Sequence, residues 1–234
     1  TSRDDKRVLV DAGMPDAYSK FVAEPLAALR DASKAIDVAY VSHIDRDHIG
    51  GILRMLDDEV KWRVFDHLTA KGKTINKPKV PRPPEIREIW HNAFLEDIAA
   101  TKAVQLGNAL AASANALAGA KAAGLGSEAA IVAAEATEML ALSVGDAIQL
   151  NWRIGNDQLG IPLNPAFGGK FMTARKQPIQ IGALSITVLG PTANELKELR
   201  KDWIAWLKSD KRDAYIEELR GKHQKDIDRL RSAT

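Results

Sequence analysis

Two imidazoles and two carboxylates, His43, Asp45, Asp47 and His48, fall within six positions directly after the apolar run Ile36 to Val41. Such a density of donors at the end of a strand points to a metal site. Along an extended segment side chains alternate, so His43 and Asp45 point the same way, and a turn into a helix at Asp47 and His48 returns two further donors to the same place. Gly50 and Gly51 then let the new helix lie close to the strand it has left. This mixed nitrogen and oxygen set suits Zn²⁺ or Mn²⁺ and not a soft thiolate site. The plainer alternative is an exposed charged loop capping a helix, with Asp47 on the helix dipole. A cap, however, needs one carboxylate and no pair of histidines.

Two further residues belong to the same reading. His91, after the strand-like Ile86 to Trp90, is the candidate for an additional metal ligand; a hydrogen-bonded structural trio of Trp90, His91 and Asn92 is the alternative. Asp11 ends the strand-like Val8 to Val10. It is expected to take the other ring N–H of a ligand histidine, unless it merely terminates the strand with Gly13 making the turn. His67 follows a charged turn and is expected to be exposed.

Residues 8 to 66 alternate as α/β: a strand at Val8 to Val10, a helix near Ala17 to Ala32, a strand at Ile36 to Val41, a helix near Ile49 to Leu56, and a strand at Trp62 to Phe65. From Lys71 to Pro84 four prolines exclude a helix or central strand. That basic stretch is either a solvated connector or a mobile loop that holds phosphate. Ile98 to Leu142 is Ala-rich and predicts a helical hairpin broken at Gly124-Leu125-Gly126, with Leu106, Leu110, Ala114 and Leu117 as its stripe. Ser143 reads as the cap of a helix from Val144 to Ile154. Ile179 to Leu189 returns to a strand pattern with a turn at Gly182-Ala183. From Asn194 a charged helix pair follows, with Leu196, Leu199, Trp203, Trp206 and Leu207 on one face. The expected division is 1–97 with the metal motif, 98–155 as a helical insertion, and 156–234 as a return to sheet followed by helices.

The motif resembles the fingerprint of the metallo-β-lactamase superfamily, H-x-H-x-D-H, with Asp45 in place of the second histidine. In that form it looks like the branch containing the soluble hydrolase domain of bacterial competence (DNA-uptake) proteins. The likeness includes Val8-Leu9-Val10-Asp11-Ala12-Gly13 and, more loosely, Glu88 to Asn92, Ile161 to Pro165 and Ile186 to Pro191. It implies an α/β fold, a partial metallo-β-lactamase-type αββα sandwich with a helical insertion. It also implies a metal-dependent hydrolase using one or two Zn or Mn ions, with His43, Asp45, Asp47, His48 and His91 as ligands and Asp47 as the catalytic carboxylate. Exchanging a neutral histidine for Asp45 favours harder ions such as Mn²⁺, and with them phosphodiester cleavage on DNA over β-lactam cleavage.

The resemblance also implies a later Gly-Asp step that bridges two metals and a His-His-Gly-Ser run, and neither appears. Gly145-Asp146 belongs to the capping box at Ser143, and after His91 the next histidine is His223. The chain is therefore expected to be the front part of a metallohydrolase cut at both ends, inactive alone and completed by the C-terminal remainder of the same protein or by a partner chain. A bare sheet face would also promote self-association. Two other functions fit the same residues: a small-ester or lactone hydrolase, and a non-catalytic interaction module. Composition is compatible with each, since 234 residues at 45% hydrophobic can bury a core and a net charge of +2 announces no polyanion. No apolar run approaches the roughly 20 residues that span a bilayer. No signal-peptide pattern is seen and cysteine is absent, so a cytoplasmic location without membrane contact is expected.

Overall fold

The computed structural model describes residues 1–92, 146–147, 149–198 and 201. The chain divides into two compact units, Thr1–Leu95 with Asp146–Pro191, and Glu96–Gly145 with Thr192–Thr234. Every candidate site residue lies in the first. In the second, helical residues 193–198 begin with a reciprocal cap: Glu195 N–H donates to the Thr192 hydroxyl at 3.2 Å, and Thr192 N–H donates to the Glu195 carboxylate at 2.7 Å. The Ala-rich hairpin expected over 98–142, the cap Ser143, and Leu199, Trp203, Trp206 and Leu207 of the terminal stripe lie outside the described residues.

The first unit is built on a parallel sheet ordered β1 (Val8–Val10), β2 (Val38–Tyr40) and β3 (Ile89–Trp90). Val8 pairs with Val38 and Ala39 with Ile89. An Ile36–Ile86 bridge extends the pairing below β2, and an Ile89–Leu163 bridge borders β3. Because side chains alternate, Leu9, Ala39 and Ile89 share one face and Val8, Val38 and Trp90 the other. The first face is covered by helices, through Tyr18 and Leu26, through Ile49, Ile52 and Leu56, and through Leu150 and Ile154 of the helical segment after Asp146. The second lies against a hairpin, β4 (Ile179–Ile181) and β5 (Leu184–Ile186), with Ile181 and Met172 in the contact. The turn expected at Gly182-Ala183 joins these strands. The hairpin thus covers the second face at Val38 and Trp90, while Val10 on that same face stays 58% exposed. Each fully buried aliphatic side chain in these layers contributes roughly 1.5–3 kcal/mol.

The first helical run enters with Pro15 at its first turn and comprises α1 (Pro15–Ala17), a π-helical turn (Tyr18–Val22) and α2 (Ala23–Asp31). The π turn has a physical cause in Pro25. In α geometry its ring would meet the carbonyl of Phe21, and the wider turn immediately before it relieves that clash.

One expected element is corrected. Trp62 to Phe65 is not a strand, because α3 runs unbroken from Arg46 to Ala70, 25 residues. Local β-forming side chains suggested the strand, but no Gly or Pro interrupts the chain between Gly51 and Gly72. Ion pairs one turn apart, Arg54 with Asp58, Lys61 with Asp58 and Arg63 with Glu59, carry the helix through its polar middle. Trp62 continues the buried face of Ile52, Met55 and Leu56.

The stretch Lys71 to Pro84 is a largely exposed connector over Lys71 to Asn76, as expected of a solvated linker, and packs on α3 from Lys77 onward. Trp62 Nε1 donates to the Val80 carbonyl at 3.1 Å, Lys77 and Arg82 lie over the Trp62 ring at 5.3 and 5.2 Å, and Arg82 pairs with Asp66. Sixteen residues of helix rise place Trp62 roughly 24 Å along α3 from Arg46. Among the described residues, no helix is long and apolar enough to cross a membrane.

Candidate metal centre

The sheet delivers its chemistry at the C-terminal ends of β1 and β2, where Asp11 N–H still donates to the Tyr40 carbonyl at 2.8 Å. Asp11 adopts φ 53°, a left-handed conformation that turns the chain at the strand end. Opposite it, Ser42 and His43 leave β2, and Asp45 is the N-cap residue of α3, although its side chain forms no capping bond. Asp47 and His48 occupy the first helical turn.

Close approach of two backbones sets the position of that turn. Gly51 N–H donates to the Gly13 carbonyl at 2.7 Å, and Ala12 N–H donates to the His48 carbonyl at 3.3 Å. A Cβ on Gly51 would sit 2.1 Å from the Ala12 oxygen, so only glycine fits. The glycine pair thus brings α3 against the loop after β1, not against the strand it has just left.

Three of the expected donors converge. Ligand atoms of His43, Asp47 and His48 all lie within 4.8 Å of one another. The rings of His43 and His48 are 3.6 Å apart between centroids. Behind them stands a hydrogen-bonded relay. His48 Nδ1 is 2.8 Å from Asp11 Oδ2, and the Ser42 hydroxyl donates to the same oxygen at 2.7 Å. Ser42 N–H donates to Asp11 Oδ1 at 2.8 Å, while His43 Nδ1 lies 3.0 Å from Ser42 Oγ. With a proton on each Nδ1, His48 donates to Asp11 and His43 donates to Ser42. Both Nε2 lone pairs are then left for a ligand. Ser42 was not singled out from the sequence, although it directly precedes the motif; its role depends on Asp11 arriving from another strand.

Electrostatics follow from these contacts. The hydrogen bond that His48 donates to Asp11, reinforced by the charges of Asp11, Asp47 and Asp45, raises the His48 pKa above the usual imidazole value. Burial pushes Asp11 upward, but the bonds from His48 and Ser42 outweigh it and hold the carboxyl below the ordinary range.

The remaining candidates sit apart from the converging three. Asp45 reaches His43 Nε2 at 3.3 Å and is 61% exposed in its side chain; it is not part of the group of three. His91 is fully buried beyond β3 and is also outside that group. Its backbone is gripped by Asn164, which accepts from His91 N–H at 2.9 Å and donates to its carbonyl at 2.7 Å. Asn92 forms a matching pair with the Met172 backbone. Burial lowers the His91 pKa to about 4. His67 is exposed in the last turn of α3. Asp146, in the helical segment after the undescribed stretch, accepts from Arg46 Nη1 at 3.1 Å, next to the motif.

The donor chemistry fits one divalent ion: two imidazole nitrogens and one carboxylate oxygen, with both histidines oriented from behind. Residues 2–60 match the family model of the metallo-beta-lactamase superfamily, about a quarter of the chain, including Asp11 and the whole stretch from Ser42 to Gly51. The match supports a metal-dependent, hydrolase-type family. No curated protein and no solved structure matches the chain.

Proposed function

We propose that this chain carries the metal-binding part of a divalent-metal phosphodiesterase acting on DNA, with the ion held by His43, Asp47 and His48. One observation carries the reading: these three donors meet at strand ends while Asp11 and Ser42 supply acceptors for both Nδ1 protons. A bound ion would supply an acidified water and offset charge on a phosphoryl oxygen. Asp11 fixes the tautomer of His48 and Ser42 that of His43, so neither ring needs to reorient on binding. Asp47 adds negative charge at the open side of the group. The H-x-D-x-D-H form supports a hard ion such as Mn²⁺, and its resemblance to the competence-protein branch supports DNA over a β-lactam or small ester.

Two measurements test the reading. Calorimetry on this chain should detect a single Mn²⁺ or Zn²⁺ ion, bound weakly and lost in His48→Ala. The intact protein with Mn²⁺ should release nucleotides from DNA, and Asp47→Ala should lower that rate by roughly a hundredfold or more while circular dichroism stays unchanged. Near-normal turnover in Asp47→Ala, or no release with any divalent ion, would overturn the proposal.

A further inference from the structure

The opposite, N-terminal end of the same sheet holds a cavity of about 580 Å³, bounded by the end of α2, the middle of α3 and the segment leading into β3. Its volume falls within the roughly 300–1,000 Å³ typical of small-molecule sites. Leu56, Ile86 and Ile161 give it an apolar floor, while Arg30, Lys34, Arg63 and Arg87 bring four cations to the wall against two carboxylates, Glu59 and Glu85.

Two of these groups have valences that the described residues leave open. Arg30 is anchored by Nη1 to the Pro83 carbonyl at 3.2 Å, and no carboxylate pairs with it among the described residues. Lys34 and Arg87, by contrast, are paired with Asp5 and Asp37, outside the wall. Glu59 binds Arg63 Nε through Oε1 at 3.1 Å, but its Oε2 is buried and has no hydrogen-bond partner among the described residues. Arg63 is itself held by the Leu159 carbonyl at 2.9 Å, which fixes the Glu59 carboxylate in turn. Among the described residues the cavity therefore presents an anchored guanidinium with no carboxylate partner, over an apolar floor, while Glu59 Oε2 is closed off behind Arg63. A guanidinium already held in place loses little freedom on binding an oxyanion.

We propose that this cavity binds a small organic phosphate of nucleotide type. Its phosphate pairs with Arg30, assisted by Lys34 and Arg87, and the apolar ring lies over Ile86 and Ile161. The site is independent of the metal reading, because the metal donors sit at the other ends of the strands.

Calorimetry on the full chain in EDTA, with AMP, adenosine and inorganic phosphate as separate probes, tests this. AMP should bind, with adenosine and phosphate each weaker by roughly tenfold or more. Arg30→Glu and, separately, Lys34→Glu should weaken AMP, the first by about tenfold, while His48→Ala leaves AMP affinity unchanged. Two variants guard against one failing to fold, which circular dichroism reports. Absence of AMP binding, phosphate binding as tightly as AMP, or an affinity unaltered by both variants would overturn the proposal. Loss of AMP binding in His48→Ala would place it at the metal donors and overturn it equally.

Discussion

The loops that leave β2 and β3 begin side by side at the same end of one parallel sheet, and each carries a histidine soon after its strand. They have opposite fates. After β2 the chain stays at the surface, where His43 and His48 meet Asp47 and the His48 proton is held by Asp11. Directly after β3, His91 is fully buried with its peptide locked by Asn164. One imidazole is raised in pKa by a carboxylate and the other lowered by burial. The same residue type thus becomes a poised donor in one loop and a neutral, fixed core group in the other. What separates them is the surroundings of the ring, an acid from β1 beside the His48 imidazole in one case and enclosure in the core in the other.

The largest effect should come from removing the amide. Asn164 is itself fully buried at φ 42°, and besides His91 it donates to the Lys170 carbonyl at 2.9 Å. Asn164→Ala leaves two buried backbone groups, the His91 N–H and carbonyl, without partners, at about 1–3 kcal/mol each when nothing replaces them, whereas the carbonyl of exposed Lys170 can turn to water. A loss of roughly 2–6 kcal/mol in urea unfolding is expected. If the loss stays under about 1 kcal/mol, the β3 loop is not held as described and the contrast fails.

Acid should separate the two loops next. In the unfolded chain His91 titrates near 6.5, whereas the folded protein keeps it neutral down to about 4. Between those values the unfolded state binds more protons, so stability falls as pH drops from 6.5 and levels off below 4, by roughly 3 kcal/mol in total. His48 acts in the opposite sense. Its raised pKa contributes stability that is complete below 6.5 and is lost as pH rises through the folded value. Urea midpoints measured across pH 7 to 4 should therefore slope downward in the parent protein and flatten in His91→Gln. An unchanged slope in that variant would assign the acid sensitivity elsewhere.

How much of this was open to reading in the sequence depends on the range of the interactions. The strand Val8 to Val10, the turn at Gly182-Ala183 and the placing of His43, Asp47 and His48 at a strand-to-helix junction follow from local pattern, since each is fixed by residues only a few positions apart. The continuation of α3 through Trp62 was hidden because Trp, Val and Phe favour strands locally, while packing on the buried face of Ile52 and Leu56 decides the matter. The grip of Asn164 on His91 spans 73 residues. No spacing rule reaches that far. Asp11 lies between these cases: an acid ending a strand suggested a histidine partner, but whether that partner is His43 or His48 depended on where Gly51 lets α3 approach the Ala12 carbonyl.

Removing the acid from the surface loop is the third way to sharpen the contrast. Asp11→Asn keeps the shape and removes the charge, so the His48 pKa should fall back toward 6.5 in a metal-free NMR titration. Metal affinity should fall with it, by roughly 10–100-fold, as for other groups that orient a ligand histidine. Should the pKa stay raised, Asp47 and Asp45 would be supplying the field and the relay through Asp11 would be incidental.

The smallest effect should distinguish the two flanking carboxylates. Asp45 and Asp47 are both exposed and both belong to the motif, yet Asp47 alone joins His43 and His48 in the converging group. Asp45 touches His43 Nε2 at 3.3 Å from the N-cap position without capping the helix. Asp45→Ala therefore removes one charge near the group but neither a converging donor nor a capping bond. Its cost to fold stability should stay within about 0.5 kcal/mol, and its cost to Mn²⁺ affinity should be under roughly tenfold, the scale of a single screened charge. Asp47→Ala, measured beside it by the same calorimetry, should lose far more. If the two variants weaken binding equally, Asp45 swings in to become a ligand when the ion arrives, and the centre holds four protein donors in place of the three brought together here.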